Sequence, residues 1–226
     1  MNTAIVVAAG EGKRFGSDTP KQFLEIAGKP LVIHTLFRFE NCPEIDEIIL
    51  VLPPHYTENF LLIAEKFNFK KLSKFIAGGK TRAESVLNGL NAIDPETAKI
   101  VAVHDGARPL VTVEEILATV ERAEETGAAC LVAPVTDTIK EVSGDKILRT
   151  VDRARLRRAL TPQCFRYEIL RRAFRENNSL ETATDESFLA EKIGVVVSFV
   201  EGNARNIKIT HPEDFEVAEI LLKTIN

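Results

Sequence analysis

Residues 8–16 read Ala-Ala-Gly-Glu-Gly-Lys-Arg-Phe-Gly, and Pro20-Lys21-Gln22-Phe23 follows closely. Gly10 and Gly12 permit positive φ and let backbone N–H groups approach an anion. Ala8 and Ala9 are small enough to leave room beside the end of a strand. Lys13, Arg14 and Lys21 add cations within one short stretch. These residue types suit a polyphosphate cradle with cationic clamps; an ordinary Gly-rich turn with solvated basic side chains is the alternative. A Walker A loop does not fit, because Arg14 follows Gly12-Lys13 and Val7 stands five residues before Gly12. Gly79-Lys80-Thr81 is a second decoy, with Lys74 at the corresponding position. The dinucleotide fingerprint G-x-G-x-x-G fails as well, since Phe15 takes the third glycine position and Leu50-Val51-Leu52-Pro53 offers no acid for a ribose.

Other constellations follow along the chain. In His104-Asp105-Gly106-Ala107-Arg108-Pro109, Asp105 closes a strand-like run, where an acid can hold a hydrated Mg²⁺ beside substrate phosphates. It can equally satisfy nearby backbone N–H groups or pair with Arg108. Gly78-Gly79-Lys80-Thr81-Arg82-Ala83-Glu84-Ser85 lets a base or ribose pack on the backbone and offers the Ser85 hydroxyl; a plain strand-to-helix turn with a Thr81 cap is the structural alternative. Thr150-Val151-Asp152-Arg153, Thr161-Pro162-Gln163, Thr184-Asp185-Glu186 and Asn206-Ile207-Lys208-Ile209-Thr210 carry small polar or cationic side chains suited to a phosphorylated polyol. Each of these also has an ordinary structural use, as a salt bridge, a turn or a cap. Thr184 is expected to cap a helix whose first turn holds Asp185 and Glu186. The four histidines have no metal-site spacing: His34 reads as a core or boundary residue, His55 and His211 as helix starts, and His104 as a residue orienting Asp105.

Short β-branched runs alternate with helical stretches to position these groups. Strands are expected over 3–9, 47–52, 71–76, 99–104, 128–133 and 195–200, mostly as continuous apolar runs with both sheet faces covered. Helices are expected over 31–40, 55–67, 82–93, 113–126, 167–177, 185–192 and 212–224. Thr112 with Glu115 forms a capping box, and Gly127 ends the helix it opens. The alternation implies an α/β fold, a doubly wound, mostly parallel sheet with right-handed crossovers. Residues 136–151 break the rhythm and alternate around Ser143-Gly144-Asp145, a hairpin signal. A lone hairpin is marginal in water, so it needs a partner surface.

The 226 residues are 45% hydrophobic and 27% charged, enough for one α/β domain spanning 1–226. A net charge of −4 and a pI near 5.7 disfavour nucleic acid as a partner. No apolar run is long enough for a membrane span, and 4–9 running into Gly10-Glu11 does not read as a signal peptide. Cys42, Cys130 and Cys164 suggest neither a disulfide framework nor a zinc cluster, which fits a reducing, cytoplasmic location.

Taken together, the motifs resemble those of the 2-C-methyl-D-erythritol 4-phosphate cytidylyltransferases of the non-mevalonate isoprenoid pathway. The likeness runs from Ile5 to Leu221. It rests on A-A-G-x-G-x-R at 8–14, P-K-Q-F at 20–23, H-D-x-A-R-P at 104–109, T-V-D-R at 150–153, L-T-P-Q at 160–163, T-D-E at 184–186 and N-I-K-I-T at 206–210. The resemblance implies a Rossmann-like sheet of the nucleotide-diphospho-sugar transferase type, with 136–151 as an arm crossing to a second subunit of a homodimer. It further implies that Ala8, Ala9, Gly10, Gly12, Gly79, Ser85 and Gly106 line a CTP site. Arg14 and Lys21 would stabilise the transition state, and Asp105 would hold Mg²⁺ or another divalent cation. Thr138, Arg153, Thr161, Thr184 and Lys208 would position methylerythritol phosphate, some of them across the dimer. Lys80 stands where aspartate is common in the family, which bears on base recognition; Gly106 stands where alanine is common and changes little. Ribitol-5-phosphate cytidylyltransferases share several of these motifs but lack the T-V-D-R form, so Asp152-Arg153 favours methylerythritol phosphate. A non-catalytic nucleotide-binding module on the same fold is the remaining alternative.

Overall fold

The computed structural model describes residues 1–10, 15, 20–177 and 180–225. Its main sheet has seven strands, and the order of their chain positions explains where a ligand can bind. β1 (Thr3–Val7) is flanked by β4 (Glu47–Leu52) and β6 (Ile100–Asp105), both parallel to it, and β6 is the middle strand of the seven. β5 (Leu72–Ala77) extends the β4 side in parallel. Beyond β6 come β10 (Arg157–Arg166), β7 (Ala128–Pro134) and the edge strand β11 (Ser198–Glu201). β10 runs antiparallel to both its neighbours, while β11 is parallel to β7. The chain leaves β1 for β4 on one side and reaches β6 on the other, a switch point at which open α/β sheets bind ligands.

Side-chain alternation decides which helix covers which face. Ala4 and Val6 point to the layer holding α1 (Leu31–Glu40), α2 (Thr57–Ala64) and α4 (Val113–Thr126). Ile5 points to the layer of α3 (Arg82–Asn91), α5 (Tyr167–Glu176) and α6 (Glu186–Lys192). With both faces covered, residues 4–7 of β1 and 100–103 of β6 read as unbroken apolar runs. A smaller cluster packs Ala218 and Leu222 of α7 (Pro212–Ile225) on Leu31, Leu110 and Ile209. The Thr112–Glu115 capping box is present, and Gly127 ends α4 at φ 92°.

The structure changes several sequence expectations. β10 was not expected as a strand, because Arg157 and Arg158 open it and Pro162 interrupts it. A register shift between Ala159 and Gln163 absorbs the proline, as bulges do. The stretch 55–67 is not one helix: α2 is flanked by 3₁₀ turns at Pro54–Tyr56 and Glu65–Phe67, and Asn68 stops it at φ 50°. Asp185, not Thr184, caps α6, accepting from the Phe188 N–H at 2.9 Å. A short pair, β2 (Glu25–Ile26) with β3 (Lys29–Pro30), was also not anticipated. The expected hairpin is there, as β8 (Ile139–Ser143) and β9 (Lys146–Val151), which among the described residues form a two-stranded sheet of their own. Gly144 turns it at φ 57°.

Candidate active site

Strand ends that lie side by side need small residues. The Ala8 N–H donates to the Val51 carbonyl, the Gly78 N–H to Leu52, and the Gly106 N–H to Val7, each at 2.8 Å. These bonds extend the sheet by one step and draw the β1, β5 and β6 exits together. A Cβ on Gly78 would stand 2.2 Å from the Ala9 Cβ, and one on Gly106 would stand 3.0 Å from the Ala8 Cβ. Above this floor opens a cleft of about 730 Å³. It is lined by Ala8, Ala9, Gly10, Lys21, Gly79, Ser85, Asp105 and Lys208, all named from the sequence. A smaller hollow of about 460 Å³ lies on α5 among Arg171, Arg172 and Arg175, away from these motifs.

Asp105 is the sole acid among the described lining residues, and it is buried. Its Oδ1 accepts from Arg82 Nε at 2.9 Å, while Oδ2 meets Lys208 Nζ at 2.9 Å and Arg108 Nε at 3.3 Å. Burial pushes its carboxyl up, but Arg82, Lys208 and Arg108 together outweigh burial and hold it well below the usual carboxylate range. Arg82 continues to Glu186, its Nη1 lying 2.7 and 2.9 Å from the two carboxylate oxygens. Burial would lower the Arg82 guanidinium, yet Glu186 and Asp105 raise it. Behind Asp105, its own N–H donates to the Thr161 hydroxyl at 3.1 Å. That hydroxyl lies 2.9 Å from His104 Nδ1, and His104 Nε2 lies 3.2 Å from the Arg108 carbonyl. The carbonyl can only accept, so Nε2 carries the proton and Thr161 donates to Nδ1. Burial drops His104 to about 3, which keeps the ring neutral.

One hard carboxylate on the cleft floor fits a divalent cation whose remaining ligands come from phosphate oxygens and water. Among the described residues there is no group of three or more His, Cys, Asp or Glu that could hold a metal by itself. The donor set therefore suits a cation arriving with a polyphosphate.

Lys21 sits in a 3₁₀ turn, Lys21–Phe23, and its Nζ donates to the Ile209 carbonyl. Gln22 was not singled out from the sequence. Its buried amide donates to the Ala8 carbonyl at 2.6 Å and to Gly10 at 2.8 Å, pinning the start of the glycine loop. Arg82 and Glu186 were likewise missed as a pair, because 104 positions separate them. Gly12 and Arg14 lie outside the described residues. Gly106 sits beside the cleft, its carbonyl accepting from the Thr35 hydroxyl at 2.9 Å. Thr161 is buried behind Asp105, and Thr184 is exposed next to the α6 cap. Thr138 and Arg153 are exposed at the arm, where Arg153 donates to the Thr136 carbonyl. None of these last four lines the cleft of the single chain.

Residues 2–224 match the family model described as IspD, 2-C-methyl-D-erythritol 4-phosphate cytidylyltransferase. The chain belongs to that family. It is 43% identical to the 2-C-methyl-D-erythritol 4-phosphate cytidylyltransferase of Pelotomaculum thermopropionicum, covering 97% of this chain and 93% of the relative. A bifunctional enzyme IspD/IspF of Desulfotalea psychrophila is 42% identical over 98% of this chain, which spans 57% of that longer protein. Among solved structures, the 4-diphosphocytidyl-2C-methyl-D-erythritol synthase of Anaerococcus prevotii superposes with a TM-score of 0.87 at 30% identity, covering 99% of this chain and 96% of that one. The Thermus thermophilus 2-C-methyl-D-erythritol 4-phosphate cytidylyltransferase gives 0.78 at 32% identity, over 97% and 98%. The Rossmann-like nucleotidyltransferase sheet expected from the motifs is thus the fold of the family.

Proposed function

We infer that the chain transfers a cytidylyl group from CTP to 2-C-methyl-D-erythritol 4-phosphate. Family membership over nearly the whole chain supports this, and so does the arrangement of small strand exits, Lys21, Lys208 and one acid around a single cleft. The match favours methylerythritol phosphate over ribitol phosphate and an enzyme over a bare binding module. In the reaction a phosphate oxygen of the polyol attacks the CTP α-phosphorus in line. A new P–O bond forms, the bond to the β-phosphate bridging oxygen breaks, and pyrophosphate leaves with that electron pair. The nucleophile is anionic at neutral pH, so no side chain must take a proton. Catalysis is therefore positioning and charge stabilisation.

Ala8, Ala9, Gly10, Gly12, Gly79, Ser85 and Gly106 cradle the nucleotide. Lys21, with Arg14, meets charge growing on the α-phosphoryl and leaving oxygens. Asp105 is the residue that would hold a divalent cation, and such a cation would add positive charge at the bridging phosphates. Lys208 faces the second substrate from the cleft of the same chain, and Thr184, exposed beside the α6 cap, would help position it from outside the cleft lining. Thr161 contributes by fixing Asp105. Thr138 and Arg153 serve a cleft other than the one in their own chain, carried there by 136–151 as the arm of a homodimer. Exposed Val142, Ile147 and Leu148 favour such a partner surface. Residues 1–226 act as one catalytic domain. Among the described residues no helix is long and apolar enough to cross a membrane. The three cysteines are free and buried, which suits the cytoplasm.

Label partition tests the chemistry. With CTP labelled at the α-phosphorus, label should enter the polyol product, and label at the β and γ positions should leave as pyrophosphate. Label from the γ position in the product would mean a kinase-type transfer and overturn the reading.

A further inference from the structure

Arg82 ties together parts of the molecule that the chain order keeps apart. It is the first residue of α3, after the Thr81 cap, and lines the cleft with Gly79. Its Nε reaches Asp105 at the end of β6, and its Nη1 reaches both oxygens of Glu186 at the start of α6, beside Thr184. Glu186 is 1% exposed. Burying an ion pair costs desolvation that attraction offsets only in part, so such a pair is weak evidence for stability. Its geometry is specific instead: a planar guanidinium can address two carboxylates in fixed directions, which an ammonium cannot. Held by Arg82, Oδ1 of Asp105 has a set direction, and Oδ2 is left to Lys208 and Arg108.

We propose that Arg82, anchored by Glu186, is a positioning residue that fixes the Asp105 carboxylate for the metal–CTP complex. This rests on the nucleotidyl-transfer reading of the cleft. Partners that orient a metal-binding carboxylate typically affect metal affinity or activity by about 10- to 100-fold when removed. Lysine at position 82 keeps the charge but not the two-directional contact.

The experiment is a Mn²⁺ titration by electron paramagnetic resonance on the full chain with CTP present, alongside kcat and KM for both substrates and Tm. Arg82→Gln and Arg82→Lys should each weaken Mn²⁺ binding to the CTP complex about 10- to 100-fold and lower kcat comparably. Glu186→Gln, close in shape to the native side chain, should act in the same direction. The double variant should be no worse than Arg82→Gln alone, since both act through one brace. Should Arg82→Gln fail to fold, Arg82→Lys and Glu186→Gln carry the same readouts. A lowered Tm with wild-type Mn²⁺ affinity and kcat, or full rescue by Arg82→Lys, would overturn the proposal. The titration needs no polyol phosphate, so an inactive wild type would count against the reaction while the Mn²⁺ affinities still decided the brace.

Discussion

Asp105 and Glu186 are buried, and every carboxylate oxygen meets a cation of the same chain. The arm is built the other way. Its Glu141–Arg149 ion pair is exposed, at 2.5 Å, and such pairs contribute little. Val142, Ile147 and Leu148 are 61%, 65% and 59% exposed among the described residues, while Ile139 and Val151 at the base of the hairpin are half-buried. The described charged groups of the cleft find their partners within one chain. The hairpin stands next to Thr138 and Arg153, and on the proposed reading it is held by a second subunit. The two regions should therefore respond differently to substitution. Cleft variants should change chemistry at constant assembly, and arm variants should change assembly and second-substrate binding together.

The largest effect is expected in the cleft. Lys21→Ala should lower kcat about 10²- to 10³-fold, because the contact strengthens as charge develops in the transition state. Its assembly state by light scattering should match that of the wild type, and a wild-type kcat would remove Lys21 from the catalytic set. At the arm, Arg153→Ala should raise KM for methylerythritol phosphate about 10- to 100-fold, the range for one hydrogen bond to a charged group. CTP titration should be little changed. Deleting 140–148 should give monomers with the same defect and a lower kcat. A deletion variant that stays dimeric would break the comparison.

A smaller effect should appear in pH-dependent stability. Burial lowers His104 from 6.5 to about 3. The native ring stays neutral while the unfolded chain takes up a proton, so stability is lost as pH falls from 6.5 toward 3. At pH 5 the loss from this group should be about 2 kcal/mol. Denaturant unfolding at pH 7 and pH 5 should show that slope, and His104→Asn should flatten it. Equal slopes in both proteins would mean the ring is protonated in the fold.

The fold was legible where burial enforces a period. Strands β1, β4, β6 and β7 read as apolar runs because helices cover both faces, and the Thr112–Glu115 box marked its helix. β10 was hidden because its signal is split by Arg157, Arg158 and Pro162, and its place between β6 and β7 is a tertiary fact. The motif at Ala8–Gly10 and Lys21 was visible, and these residues line the cleft. The Arg82–Glu186 contact was not, since nothing in either local pattern specifies a partner so distant in sequence. Gln22 sat in a visible motif, but only its burial shows that it pins the Ala8 and Gly10 carbonyls.

The central claim is the choice of reaction and second substrate. The most direct measurement is pyrophosphate release by the purified chain with CTP and Mg²⁺, supplied in turn with 2-C-methyl-D-erythritol 4-phosphate and ribitol 5-phosphate. One pyrophosphate per methylerythritol phosphate consumed, with little release from ribitol phosphate, is the expected result. Turnover with ribitol phosphate alone, or with neither, would contradict it.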